Sequence, residues 1–292
     1  MYGVGTLIPY LELPRIHLGP LTLQLFGLFA ALGVFVGVRV ASRAAAARGL
    51  EGRTILDFSI WGVVCGILFG HLVHLVAYHP EELRDPRRIF QPWEGLSSYG
   101  GLLGGILAAL VWFRVHRIRL ADYGDALALG IAPGWAIARL GCFAVHDHPG
   151  VLTGFPLAVR FPGGARHDLG LYEALVLFAI AGAIRFLWRR RLLQGRLLAV
   201  LALLYAVPRF FLDLLRARDV PYADARYLGL TPAQYASVLL VAWAVWRLAS
   251  PPRLGPALEG TDERPAGDSR GGSREEPRRG PADGAPSAGA RP

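Results

Sequence analysis

Residues 126–150 read ALALGIAPGWAIARLGCFAVHDHPG. An apolar run, Ala126 to Ala138, meets Arg139, and the chain soon turns polar in His146-Asp147-His148-Pro149-Gly150. A charged side chain inside a bilayer costs on the order of a few kcal/mol or more, so its default reading is functional. The alternative is that Arg139 snorkels to the headgroup layer. On this stretch alone both readings stand.

The rest of the chain shares its apolar character. Of 292 residues, 53% are hydrophobic, mean hydropathy is +0.37, and several runs approach twenty apolar residues. Such runs mark an integral membrane protein. Seven spans are predicted, at about 20–40, 55–78, 99–113, 123–143, 169–188, 197–215 and 232–248. The expected fold is all-α, a seven-transmembrane helix bundle with a small external segment between spans four and five. Residues 1–19, broken by Pro9 and Pro14, read as a short interfacial segment, and residues 20–250 as the membrane domain. Residues 251–292, with almost no apolar content, read as a disordered cytoplasmic tail. Gly100, Gly101, Gly104 and Gly105 suggest that the third span packs in the bundle interior, because small residues let helices approach closely in lipid.

The net charge of +9 is carried by arginine alone, since the chain has no lysine. The arginines concentrate in alternate loops, so no nucleic-acid partner is expected. The loops with Arg43, Arg48 and Arg53, with Arg114, Arg117 and Arg119, and with Arg189, Arg190, Arg191 and Arg196 are the cytoplasmic ones. This places the N-terminus outside and the C-terminus in the cytoplasm. No basic region precedes the first apolar run, so no cleaved signal peptide is expected. Two cysteines, Cys65 and Cys142, make neither a disulfide framework nor a zinc-finger pattern.

In this topology polar groups of several spans share one depth, at the outer leaflet. Arg139 lies near the outer end of the fourth span. Arg209 stands about a dozen residues above Leu197, or ~18 Å up its helix. His71 and His74 fall in the outer third of the second span, and Gln24 and Tyr99 at the outer ends of the first and third. Tyr205, Arg209, Asp213 and Arg216 follow at spacings of four, four and three, so they share a helix face on which Asp213 can pair with both arginines. Read structurally, this is an internal salt-bridge stripe. Read functionally, Arg139 and Arg209 face an anionic lipid headgroup, for which the guanidinium offers a charged planar fork. His146, His148 and the nearby His167 could be read as metal ligands, but their spacing is weak and no metal site is expected.

These residues resemble the bacterial prolipoprotein diacylglyceryl transferase family. The resemblance runs from about Gln24 to Gln234. It includes Phe26-Gly27, the Ser98-to-Gly105 stretch, Asp125, Arg139-Leu140-Gly141-Cys142-Phe143, Arg166-His167 and Leu171-Tyr172-Glu173-Ala174. It continues through Tyr205, Arg209, Asp213, Arg216 and Asp219 to Leu230-Thr231-Pro232-Ala233-Gln234. The chain departs from the family pattern where Tyr99 replaces a histidine, Phe26 a tyrosine, Cys142 an asparagine and Asp213 a glutamate; the acidic residue of the following turn falls on Asp147.

The resemblance implies transfer of a diacylglyceryl group from phosphatidylglycerol to the lipobox cysteine thiol of prolipoproteins, in the bacterial inner membrane. It implies no cofactor and no metal; the partners are phosphatidylglycerol, prolipoprotein signal peptides and the bilayer. Arg139 and Arg209 would hold the phosphate. Tyr205, Asp213, Arg216, Gly100, Gly101, Gly150 and His71 complete the expected lipid and substrate set. His146, His148, His71 and Tyr99 compete as the base that takes the thiol proton, with Asp147 orienting or replacing it. Our expectation is that the His146-Asp147-His148 turn has taken over this duty; alternatively it only caps the fourth helix. Two other functions stay open: a related enzyme with the same donor lipid and another acceptor, and a non-catalytic lipid-binding or transport protein.

Overall fold

The computed structural model describes residues 8–11, 16–18, 21–23, 25–78, 80–91, 95–220, 223–224 and 226–251. Gln24, the side chain of Tyr99 and the expected tail beyond residue 251 lie outside the described residues. Helices occupy all seven expected places: α1 (Leu25–Ala47), α2 (Gly52–Val73), α4 (Ser98–Val115), α5 (Leu120–Val145), α6 (Leu169–Arg189), α7 (Leu197–Leu212) and α8 (Pro232–Ala249). The short helix α3 (Pro86–Ile89) lies in the connection between α2 and α4. Five of these helices are long and apolar enough to cross a membrane: α1, α2, α5, α6 and α7, the second and last extended by a few residues. The chain is therefore a multi-span helical membrane protein with at least five such helices.

The fold is not purely helical. A four-stranded sheet, in the order β1-β5-β6-β4, is built from β1 (Ile8–Pro9), β4 (Pro149–Leu152), β5 (Val159–Phe161) and β6 (Gly164–Asp168). A second pair, β2 (Ile16–Leu18) and β3 (Leu21–Leu23), forms an antiparallel hairpin just before α1. The first helix thus starts at Leu25 rather than near residue 20, because residues 21–23 are spent on a strand. Part of the N-terminal segment pairs in parallel with β5, which ties it to the segment between α5 and α6.

Close approach of backbones decides the helix packing. Gly33 and Gly37 of α1 meet Gly130 and Gly134 of α5, two small-x-x-x-small pairs facing each other. A methyl on Gly33 would lie 2.3 Å from the carbonyl oxygen of Gly134, and one on Gly130 2.3 Å from that of Gly37. The helices can therefore approach this closely only without side chains there. Gly33→Val should destabilise the chain by about 1–3 kcal/mol, the usual cost of overpacking, and more if the helices must separate. Thermal unfolding in detergent checks this; an unchanged midpoint would mean that the close crossing contributes nothing.

The glycines of α4 act in the same way on α2. A methyl on Gly100 would lie 2.3 Å from the Phe69 oxygen, and one on Gly104 2.4 Å from the Cys65 oxygen, while Gly101 lies opposite Gly66. The expectation that this helix packs inside the bundle is corrected. Its glycine face meets α2, but Leu102, Leu103, Ile106, Leu110 and Val111 are exposed, so α4 lies at the periphery. Glycine spacing told which face packs, not how many neighbours surround the helix.

At the end of the bundle where α5 begins, Asp125 accepts hydrogen bonds from the backbone N–H groups of Gly195 (2.7 Å) and Leu197 (3.0 Å), the latter the first free donor of α7. Arg48 lies 3.5 Å from the same carboxylate, over the Trp188 ring. The arginine cluster lies at the opposite ends of α5 and α7.

Candidate functional site

Arg139 stands in the last two turns of α5, Glu173 in the second turn of α6, and Arg209 in the last turn of α7. These three helix ends converge on one ion-pair cluster. Arg139 Nε lies 2.9 Å from Glu173 Oε2, and Arg209 Nη1 lies 3.0 Å from Glu173 Oε1. Arg209 Nη1 is also 2.9 Å from Asp213, whose same oxygen meets Arg216 Nε at 3.1 Å. Arg216 Nη1 reaches Asp224 at 2.9 Å. Relative exposure is 9% for Arg139, 8% for Arg209, 1% for Glu173 and 0% for Asp213, so the charges are held by one another rather than by water. The Arg139 guanidinium therefore turns into the protein toward Glu173 rather than out to its surface.

Glu173 is the centre that sequence reasoning missed. It figured only within the shared stretch Leu171-Tyr172-Glu173-Ala174. The available signal was its charge in the first turns of a span, which by itself calls for a buried partner. Both carboxylate oxygens are used, one for each arginine, and Tyr205 places its hydroxyl 3.5 Å from Oε2. Tyr205 also stacks on Trp135, with ring centroids 4.2 Å apart. The contacts of Arg139 Nε and Arg209 Nη1 are close but not aligned as hydrogen bonds, so these buried groups keep unused bonding capacity.

The residues around Asp213 explain the stretch that opens α8. Thr231 and Gln234 form a capping box at its start, and the Thr231 hydroxyl donates to Asp213 Oδ2. Gln234 Nε2 donates to the Phe210 carbonyl at 3.2 Å. The cap thus fixes both the helix and the acid that pairs with Arg209. The helical stripe continues past Leu212 in a 3-10 turn, Asp213–Leu215, so Arg216 stays beside Asp213.

The two histidines of the turn part company. His146 closes α5 in the left-handed region, at φ 51°, and Nδ1 lies 2.7 Å from Asp168, which caps α6. Tyr10 stacks on its ring, and Phe143 and Phe161 pack edge-on. His148 instead faces the cluster: Nε2 lies 3.4 Å from Arg139 Nη1, and Nδ1 pairs with Asp147. Cys142 Sγ lies 3.6 Å from the same Arg139 nitrogen.

Other expected residues are placed elsewhere. His71 points both ring nitrogens at backbone carbonyls of the α2–α4 connection, Gly95 at 3.0 Å and Arg88 at 2.8 Å. Among the described residues no contact joins it to Arg139 or Arg209, so the structure gives it an anchoring role. Gly100 and Gly101 face α2, as described above. Gly150 lies against Leu215 and His167, bridges to Arg216, and offers its carbonyl to Arg166 at 3.1 Å. His167 bonds to the Tyr172 hydroxyl at 2.9 Å, and the three histidines once weighed as metal ligands each have a different partner. Burial holds the His167 imidazole below its ordinary value.

Arg166 also donates to both oxygens of Asp219, at 2.9 and 2.5 Å, which holds that carboxyl below the usual range. This clasp contributes above the ordinary carboxylate pKa and is lost as pH falls through the lower folded value. It joins β6 to the segment between α7 and α8.

The chain matches the model of a family described as prolipoprotein diacylglyceryl transferase over residues 15–250. It is 33% identical over 261 residues to the phosphatidylglycerol–prolipoprotein diacylglyceryl transferase of Chromohalobacter salexigens, covering 83% of this chain and 95% of that protein. It is 32% identical over 295 residues to transferase 2 of the same description in Streptomyces coelicolor, covering 94% and 90%. The Staphylococcus aureus protein of this description is 26% identical over 252 residues, covering 82% and 88%. With the arginine pair gathered at one end of α5, α6 and α7 and the family match running across nearly the whole membrane domain, this chain belongs to the prolipoprotein diacylglyceryl transferase family.

Proposed function

We propose that the chain transfers a diacylglyceryl group from phosphatidylglycerol to the lipobox cysteine of prolipoproteins in the bacterial inner membrane. The observation that carries this reading is the buried pair of guanidiniums held by Glu173 beside a histidine–carboxylate dyad. Arg139 and Arg209 receive the lipid phosphate, using buried donors that Glu173 engages by charge but not by aligned hydrogen bonds. Tyr205, Asp213 and Arg216 hold that pair in place, and Gly150 keeps the backbone at the rim narrow.

The sulfur of the lipobox cysteine attacks the glyceryl carbon that carries the phosphate. The carbon–oxygen bond breaks, and glycerol phosphate leaves with the electron pair. The protein's main tasks are alignment and stabilisation of charge on the phosphate. The thiol is a good nucleophile only as thiolate, so its proton must be taken. His148, oriented through Nδ1 by Asp147, is the base this geometry favours. The deciding experiment is complementation of a strain depleted of its own transferase, read by the mass shift of a model lipoprotein. No shift with any lipobox substrate, together with retained phosphatidylglycerol binding, would favour the lipid-binding alternative.

The proposed topology has seven crossings, with α4 and α8 completing the five longer helices, the N-terminus outside and the C-terminus inside. The asymmetric arginine loops support it. A cysteine at the exposed position Leu152 should then react with an impermeant maleimide in intact spheroplasts, above the background of Cys65 and Cys142. Labelling of Arg190→Cys instead would invert the arrangement and remove the site from the outer leaflet.

A further inference from the structure

Cys142, Asp147 and His148 each offer one donor atom, and the three atoms lie within 4.8 Å of one another. Cys142 is buried at the end of α5, His148 is half-buried, and Asp147 is exposed at the rim. A thiolate, an imidazole and a carboxylate are the donor types of zinc sites, and three protein ligands with an open side leave one position for water. The local charge also fits. Arg139 and Arg209 already face Glu173, and Arg209 and Arg216 face Asp213, with Asp224 beyond. A dication would be neutralised by the two charges that the Cys142 thiolate and the Asp147 carboxylate bring.

Arg139 Nη1, at 3.6 Å from Cys142 Sγ and 3.4 Å from His148 Nε2, shows that both donors already turn toward a cation. An arriving ion competes with that nitrogen, while Arg139 stays tied to Glu173 through Nε. The geometry points to a site for a thiophilic divalent cation of the zinc class, held by Cys142, Asp147 and His148 at the mouth of the arginine cluster. Binding releases the thiol proton of Cys142 to solvent. It also withdraws His148 and Asp147 from proton transfer, so the ion inhibits. That regulatory consequence rests on the transferase reading above; the binding itself does not.

Cobalt(II), a spectroscopic substitute for zinc, tests the site on the purified full chain in detergent. The parent and Cys65→Ser should show a near-ultraviolet thiolate-to-cobalt band that zinc bleaches, and Cys142→Ser should lack it. Calorimetric zinc titration covers the possibility that Cys142→Ser folds poorly. His148→Ala and Asp147→Asn should each weaken zinc binding by roughly tenfold or more, since metal affinity depends on each group that holds or orients a ligand. A band absent from the parent, a band unchanged in Cys142→Ser, or zinc affinity equal in all chains would overturn the proposal. None of these readouts requires transfer, so a chain that binds cobalt but lipidates nothing would refute the transferase reading alone. Where transfer is measured, zinc should slow the parent; an unaffected rate at saturating zinc would overturn the inhibitory role.

Discussion

Arg139→Ala and Arg209→Ala should each cut diacylglyceryl transfer by roughly tenfold or more while the chain still inserts. Each removes a charge-assisted contact to phosphate worth about 1.5–3 kcal/mol in an ordinary site, and more in a desolvated one. That corresponds to a loss of roughly tenfold to well over a hundredfold per arginine. Lysine should rescue poorly at either position, because a point charge lacks the fork that lets each arginine meet its own oxygen of Glu173 and a phosphate at once. Each alanine variant also unpairs one oxygen of buried Glu173, whereas Glu173→Gln unpairs both arginines from it at once. It leaves two buried guanidiniums facing each other with no carboxylate between them, and breaking a buried pair costs about 3–5 kcal/mol. Its signature is therefore a lower thermal midpoint as well as lost transfer. Transfer at the parental rate by both alanine variants would leave only an internal salt-bridge network at this place.

His148→Ala should reduce transfer by a factor of roughly 10²–10⁴, the usual contribution of a positioned base, with phosphatidylglycerol binding intact. Asp147→Asn should lower the rate less and shift its pH profile, because it orients the imidazole without itself facing Arg139. His146→Ala should do the opposite: it breaks the bond to the fully buried Asp168 and empties the place beneath Tyr10, so stability falls first. Tyr99→His should retain or raise transfer, since an unperturbed phenol with pKa about 10 is a poor base. Lipidation at the parental rate by His148→Ala would end the idea that this turn supplies the base. A parental thermal midpoint for His146→Ala would mean that its buried contacts contribute little.

The turn at residues 146–148 shows how far the sequence could be read. Two histidines flanking an aspartate look equivalent on paper, yet the capping expectation describes only His146, while His148 turns to Arg139. One histidine caps α5 and the other faces Arg139 because the chain passes through the left-handed region at His146, which sends consecutive side chains in different directions. Such a backbone reversal is not encoded in spacing. Asp213 was legible for the opposite reason. Its place between Arg209 and Arg216 follows from helical spacing of four and three residues, and the 3-10 turn preserves it. His71 looked like a site residue by depth alone, but depth does not say which way a ring points, and its nitrogens meet carbonyls of the neighbouring connection.

By itself the sequence determined the class of solvent and the places of the long helices, though not the strands. Runs of apolar residues need helices in lipid because every backbone group must be bonded within the segment, so the helices appear where hydropathy put them. It also determined that Arg139 and Arg209 need partners, since unpaired charges are costly in such surroundings. Only the tertiary structure decided which partners they have. Glu173 lies 34 residues after Arg139 and 36 before Arg209 in the chain. The three meet because the glycine crossing of α1 and α5, the Asp168 cap on α6 and the Thr231–Gln234 cap on α8 fix where the helix ends stand. Helical periodicity relates residues within one turn or two; contacts between helices follow from how closely their backbones can approach, and that is a property of the packed chain.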